Sequence, residues 1–393
     1  MTYPASIGEV GRINTDRASP MFTQIPLTPL LVGLFALVAL RPPMPRHSSP
    51  FNLQFTVGWL INEQPYWGLW WLLAGTMATL TRPDFGSVVW WLVAGLCVAD
   101  AVILARLAVR ARSARPVLSA ALENAFGAGA APRHTRAPWW RIVLLPFIAW
   151  RPDVRRIRNR RYGPARRGNR LDVYVSRHRR GSGAPILVYL HGGAFVMGSK
   201  MLGGRPLLYR LAAQGWVCVS ANYRLFRAGY RDQAADVRAA VAWVRANAEA
   251  YGGSDRTVFL AGGSSGADLA ATTALTGIEV SGVIGFYGFY GNTARLDLEP
   301  TSPQTAAPPF LIVHGALDTL VLKEDVRRFV ARLRAVSGQP VAYAELPGTQ
   351  HNFDFFHSLR AHAVTDAVVR FAELARSPVP SRGSSRCADR VSP

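Results

Sequence analysis

From Arg170 onward, short unbroken apolar runs alternate with segments of helical periodicity. An apolar run without polar alternation suits a strand whose sheet is covered by helices on both faces. Strands are predicted at Leu171–Val175, Ile186–Leu190, Trp216–Ser220, Thr257–Ala261, Val280–Phe286, Phe310–Val313 and Val341–Glu345. Helices are predicted at Arg205–Gln214, Arg231–Ala250, Ser265–Leu275, Lys323–Ser337 and Leu359–Arg376. Helical crossovers between strands are right-handed and make the sheet mostly parallel. Residues 166–376 are therefore expected to form one α/β domain with helices on both faces. In such sheets, chemistry collects at the carboxyl ends of the strands.

Four strand ends carry suggestive residues. The run ending at Ala261 meets Gly262-Gly263-Ser264-Ser265-Gly266, which is G-x-S-x-G centred on Ser264. Side chains at Gly262 and Gly266 would clash in so tight a strand-to-helix turn. Ser264 is forced there into a strained conformation with its Oγ exposed. The N-terminus of the following helix favours developing negative charge. Ser265 does not fit the pattern as nucleophile, because residue 267 is Ala. A phosphate loop is excluded, because no Lys-Ser/Thr follows the glycines. Alone, the motif also fits an ordinary flexible turn.

The second end is "HGGAF" (His191–Phe195), in the position of an oxyanion-hole loop. Backbone N–H groups of Gly193, Ala194 and Ser265 are the candidate donors, with Gly192 giving close approach. His191 is expected to bond within the loop, not to act as a base. The third end, "HGALDTLV", puts Asp318 just past a strand, where it either reaches the site or caps the next helix. The fourth, "PGTQHNF", puts His351 after the last strand. His357 and His362 are expected at the surface of the last helix. The order Ser264, Asp318, His351 is that of α/β-hydrolases. Ser264 would attack a carbonyl carbon, His351 would shuttle the proton, and Asp318 would fix the imidazole.

The front third has a different character. Met21–Leu40, Tyr66–Leu80 and Phe85–Ala105 are apolar, and a membrane-spanning helix needs about 20 such residues. The first and third are long enough. The second is short and borrows from Phe55–Ile61 across Glu63 and Pro65. Trp67, Trp70, Trp71, Trp90 and Trp91 suit an interfacial aromatic belt. The competing reading is buried helices of a soluble domain, or, for the first stretch, a signal peptide. About three spans are expected within residues 21–110, after a tail at 1–20. With three spans, Arg41, Arg46 and the Arg106–Arg115 group share a side with the C-terminus, opposite Arg12, Arg17 and Arg82. That bias puts the catalytic domain in the cytoplasm; two spans would reverse it.

Residues 111–165 read as a linker with an interfacial segment, "WWRIVLLPFIAW" (Trp139–Trp150), and a basic one, Arg151–Arg170. The basic segment is either a solvated edge or a patch against anionic headgroups. Residues 377–393, rich in Ser, Arg and Pro, are expected to be disordered. The formal charge of +21 comes almost wholly from Arg, with Lys only at Lys200 and Lys323. No nucleic-acid-binding signature accompanies it, so the lipid bilayer is the expected partner. Cys97, Cys218 and Cys387 show no pairing pattern, and no metal-ligand cluster or cofactor motif is present. No pattern specifies an oligomeric state.

The motifs from Leu171 to Ala375 resemble the bacterial hormone-sensitive-lipase-type carboxylesterases of the α/β-hydrolase fold. The likeness extends to "ANYRL" (Ala221–Leu225), "DVRAAVAWVRANAEAYGG" (Asp236–Gly253) and "GADLAA" (Gly266–Ala271). A membrane-spanning region ahead of such a domain is similar to a subgroup of actinobacterial esterases. The resemblance implies cofactor-free hydrolysis of short- to medium-chain esters, or of lipid-derived ones given the membrane region. Two departures stand out. The family's HGGG is HGGA here, and the nucleophile-to-acid segment is short, 318 − 264 = 54 residues. Only about 292–309 remains there for a cap, so the pocket is expected to be open, or lidded by residues 139–165 and the membrane. Two readings compete: an amidase, arylformamidase or peptidase using the same triad, and a non-catalytic membrane scaffold.

Overall fold

The computed structural model describes residues 27–45, 47, 53–80, 87–178, 181–293 and 307–377. The tail at 1–20, residues 378–393, Arg12, Arg17, Arg46 and Arg82, the start of the first apolar stretch and most of 292–309 lie outside these residues.

Eight strands form one sheet: β1 (Val154–Arg161), β2 (Arg170–Ser176), β3 (Ala184–Leu190), β4 (Val217–Ala221), β5 (Gly253–Gly263), β6 (Gly282–Phe286), β7 (Phe310–Gly315) and β8 (Val341–Leu346). Their order is β1-β2-β4-β3-β5-β6-β7-β8. Pairing is parallel from β4 to β8 and antiparallel where β2 meets β1 and β4. The sheet is thus mostly parallel, as expected. Successive β3 residues serve opposite faces: Ile186, Val188 and Leu190 join one core, Leu187 and Tyr189 the other. That period of two lets an unbroken apolar run bury both sides. Helices α8 (Tyr230–Ala246), α9 (Ser265–Leu275) and α10 (Lys323–Val336) cover the first face. Helices α7 (Arg205–Ala213) and α11 (Leu359–Arg376) cover the second.

Residues 111–165 are not a free linker. Helix α5 (Ala114–Phe126) buries Leu118 and Leu122 in the second core, and Phe126 meets Phe371 of α11 edge-on. After the short α6 (Trp139–Leu144), the basic run becomes β1. This strand buries only Val154 fully, and Arg155, Arg158, Arg160 and Arg161 are exposed. A charged edge strand resists pairing with another chain. Arg156 bonds the buried Asp172 at 2.9 Å, and Lys200 pairs with the same carboxylate at 2.9 Å.

The front third packs as helices α1 (Leu27–Leu40), α2 (Leu53–Glu63), α3 (Pro65–Leu80) and α4 (Ser87–Ala111). Pro65 begins α3, where its missing N–H costs nothing, and separates it from α2. Of the described residues, one helical stretch, Val88–Phe126, is long and apolar enough to cross a membrane. Its first part is α4, whose 25 residues reach about 37 Å. The described part of α1 has 14 residues, and α3 has 16.

A buried polar joint connects these helices to the α/β domain. Arg360 of α11 donates to Glu63 Oε1 and to the Asn62 carbonyl, both at 2.9 Å. Ser358 adds a bond to Glu63 Oε2 at 3.3 Å. Arg110 of α4 reaches Asn62 Oδ1 and the Ala39 and Leu40 carbonyls, each at 2.9 Å. Removing one partner of such a pair strands a buried charge, at a cost of about 3–5 kcal/mol. Arg360→Ala should therefore lower the unfolding free energy of the purified full-length protein by about that amount in a denaturant titration. A loss below about 1 kcal/mol would mean that water reaches the joint.

Candidate active site

The corner after β5 is built by close approach. A Cβ on Gly262 would lie 2.4 Å from the Gly266 backbone, and one on Gly266 would lie 2.2 Å from the Leu190 carbonyl oxygen. Ser264, between them, has φ 54° and ψ −121°, a costly conformation for a residue with a side chain. Its N–H donates to the Phe286 carbonyl at 2.9 Å, which fixes the corner against β6. Helix α9 starts at the next residue, so its positive end faces the corner.

The loop after β3 folds over this corner. Val196 and Met197 N–H groups both donate to the Gly193 carbonyl, at 3.1 and 3.0 Å. Gly193 has φ +129°, and a Cβ there would sit 2.0 Å from the Met197 carbonyl oxygen, so only glycine fits. A Cβ on Gly192 would come within 3.0 Å of Ser264 Cβ. His191 is buried, bonds the Gly192 carbonyl through Nδ1 at 2.7 Å and stacks on Tyr223 at 4.4 Å. Burial pushes its imidazole down to about 4, so it stays neutral.

His351 Nδ1 lies 2.7 Å from Asp318 Oδ2. Asp318 Oδ1 accepts the N–H groups of Leu320 and Val321, both at 2.9 Å. Helix α10 begins after Leu322, so Asp318 closes its own turn and does not cap that helix. Burial opposes ionisation of Asp318, but His351, His314 and the Val321 N–H outweigh it and hold the carboxyl below the usual range. Ser264, His351, Ser265, Gly192, Gly193 and Ala194 all line one cavity of about 550 Å³. Asp318 is buried behind His351. Nucleophile candidate, base candidate and backbone donors thus share one cleft, an arrangement suited to acyl transfer. Among the described residues no cluster of His, Cys, Asp or Glu could hold a metal ion.

A family model described as BD-FAE matches residues 171–295. The "Probable carboxylic ester hydrolase LipM" of Mycobacterium tuberculosis is 34% identical over 386 residues, covering 84% of this chain and 88% of that protein. The chain belongs to the α/β-hydrolase carboxylesterase family, of the hormone-sensitive-lipase type. "Esterase LipC" of the same organism is 34% identical over 266 residues, covering 55% of this chain and 66% of that protein. The crystal structure of esterase B from Lactobacillus Rhamnosis aligns with a TM-score of 0.49 at 18% identity, covering 57% of this chain and 87% of that one.

Within this carboxylesterase, Ala194 replaces a family glycine and has φ +52°, a left-handed conformation that glycine adopts more cheaply. Several neighbours of the site gave no sequence signal. Gln350 Oε1 accepts from the Thr319 N–H at 3.2 Å and the His351 N–H at 3.3 Å, tying the Asp318 and His351 loops together. Tyr287 packs its ring 4.4 Å from His351 and donates its hydroxyl to the buried Asp354. The sequence offers either an open pocket or a lid from residues 139–165 and the membrane. None of residues 139–165 lines the cavity; Phe55 of α2 does, because α2 lies across the loop that carries His351. His362 is not a surface residue either: it is buried and bonded to Thr135 and Arg210, both at 3.0 Å. His357 is half-buried against the Ile148 carbonyl.

The depressed Asp318 value has a pH signature. Its contribution to stability is complete above the ordinary carboxylate value of about 3.9 and is lost as pH falls through the lower folded value. The stability gap between wild type and Asp318→Asn should hold steady near pH 5 and begin to close only below about pH 4, followed by urea midpoints. A gap already closing at about pH 5 would contradict a depressed folded value.

Proposed function

We propose that this chain is a membrane-anchored serine hydrolase that cleaves carboxylic esters, short- to medium-chain or lipid-derived, through Ser264, His351 and Asp318. The observation that carries the reading is the shared cavity of Ser264 and His351, with His351 Nδ1 held 2.7 Å from Asp318 in a chain of the carboxylesterase family.

Ser264 Oγ attacks the ester carbonyl carbon while His351 Nε2 takes its proton. The carbonyl π pair moves to oxygen, and the N–H groups of Gly193, Ala194 and Ser265 receive it. Each such donor is worth about 2.7–4 kcal/mol in the transition state. Collapse breaks the bond to the alcohol oxygen, which leaves with the proton from His351. Water then attacks the acyl-enzyme with His351 again as base, and Ser264 is regenerated. Asp318 fixes the tautomer and stabilises the imidazolium.

Membrane anchoring is supported by the surface of the front helices. Leu34, Trp71, Met77, Trp91 and Val98 face outward, each more than half exposed, which a soluble fold avoids. Asp100 turns inward against Gly33 instead. In this reading α1, α3 and α4 span the bilayer, and the Arg bias puts the catalytic domain at the cytoplasmic face.

Hydrolysis of p-nitrophenyl esters from C2 to C16 by the full-length protein tests the chemistry. Ser264→Ala should lower kcat by on the order of 10⁶, and a fluorophosphonate should label wild type but not the variant. Amide turnover without Ser264-dependent ester turnover would move the chemistry to an amidase; neither, with no labelling, would leave a scaffold.

A further inference from the structure

Helix α2 places a side chain in the site from more than half the chain away. Phe55 lines the cavity with Ser264 and His351 and stands edge-on to the His351 ring, centroids 6.1 Å apart. Tyr287, on the same imidazole, is buried and does not line the cavity. Phe55 therefore marks the side of His351 that substrate can reach.

Its position is fixed at three points. Phe55 stacks on Trp59 one turn later at 5.3 Å. Trp59 Nε1 donates to the Asn352 carbonyl at 3.2 Å, and its ring stacks on Phe356 at 5.0 Å. The far end of α2 is held by the Glu63–Arg360 pair and by Gln64 Nε2 donating to the His357 carbonyl at 2.8 Å. The helix is thus attached to the loop that carries His351, and Phe55 keeps its place relative to the imidazole.

The reaction gives that place a meaning. The imidazole that takes the serine proton must return it to the leaving alcohol oxygen, so the alcohol portion of the ester sits over His351. The acyl portion hangs from the carbonyl carbon held by the oxyanion loop. Phe55 stands against the His351 ring, and Phe355 lines the cavity from the loop that carries His351; Val196 and Met197 line it from the oxyanion loop. Resting on the serine-hydrolase reading above, we propose that Phe55 is a specificity-determining residue: with Phe355 it walls an apolar subsite for the alcohol portion. The favoured substrates are then esters of apolar alcohols, and the N-terminal helices are part of the active site.

The test varies the two halves of the ester separately. In one series the acyl group is acetate and the alcohol is ethanol or hexanol. In the other the alcohol is p-nitrophenol and the acyl group is C4 or C12. Each is read as a ratio of kcat/KM values, which reports acylation and is insensitive to the fraction of folded enzyme. Wild type should prefer hexyl over ethyl acetate by about tenfold or more, since methylenes in an apolar pocket discriminate at about that level. Phe55→Ala lengthens the subsite toward Trp59, and Phe55→Trp shortens it. The hexyl-to-ethyl ratio should rise in the first and fall in the second, by about tenfold in total, while the C12-to-C4 ratio stays within about twofold of wild type. Unchanged alcohol ratios in both variants, or an acyl ratio that moves instead, would overturn the assignment while leaving the hydrolase intact. Absence of any Ser264-dependent turnover in wild type would instead sink the hydrolase reading, and this one with it.

Discussion

The contact between the end of β3 and the start of α9 is the constraint on which the site depends. Gly266 approaches the Leu190 and His191 carbonyls so closely that a methyl group would meet them at 2.2 and 2.6 Å. Gly262 makes the same demand from the other side of the corner. With both glycines in place, the helix starts directly against the neighbouring strand end, and Ser264 is forced into its left-handed turn. The loop from β3 is then held over the serine, because Gly192 packs on the Gly263–Ser264 backbone and side chain. The candidate nucleophile and candidate oxyanion donors become neighbours through backbone packing alone. Asp318 and His351 reach that corner from loops after parallel strands whose ends lie at the same edge of the sheet, and Phe55 reaches it from α2.

A second constraint joins the helices to the enzyme. Glu63, Asn62, Arg110 and Arg360 form a buried polar joint in which each cation also holds backbone carbonyls. Buried pairs of this kind add little net stability but strongly disfavour arrangements that separate them. The joint thus acts mainly on register: it sets where α2 lies relative to α11 and the preceding loop. An aromatic contact would tolerate sliding; a bonded guanidinium does not.

Legibility followed the physics of burial. The seven strands from β2 to β8 could be read because both sheet faces are covered, so most are apolar runs, although β2 keeps Asp172 and β8 keeps Glu345. α11 was readable from Leu359 to Arg376 by its helical periodicity, and Ser358 caps it by accepting the Ala361 N–H. β1 was not, since "VRRIRNRR" is an edge strand whose outward face is Arg. α5 was hidden by its setting, an Ala-rich stretch beside a Gly/Pro segment, although Leu118 and Leu122 recur at helical spacing. In the site, Ser264, Asp318 and His351 could be placed by strand-end logic. Phe55 could not, because nothing local to residue 55 reports a contact with residue 351. Residues 139–165 are adjacent to the domain in sequence, whereas α2 reaches the site through the tertiary joint.

Under the proposed mechanism, the arrangement also accounts for which histidine is placed for proton transfer. His191, His314 and His351 all stand at strand ends on this edge. His191 is sealed beneath the oxyanion loop, with burial holding it near 4 and the Gly192 carbonyl occupying Nδ1. His314 is buried under Asp318, lowered by desolvation, with Nε2 on the Val321 carbonyl at 3.0 Å. Neither lines the cavity. His351 alone of the three combines a carboxylate on Nδ1 with a place in the cavity wall. A carboxylate there favours the imidazolium that proton transfer must form, whereas a carbonyl does so far less. His314 stands 3.6 Å from the Asp318 carboxylate, outside the cavity wall. The selection is made by which group faces each ring nitrogen, and that is decided by the turn at Asp318, whose Oδ1 accepts the Leu320 and Val321 N–H groups and so leaves Oδ2 for the imidazole.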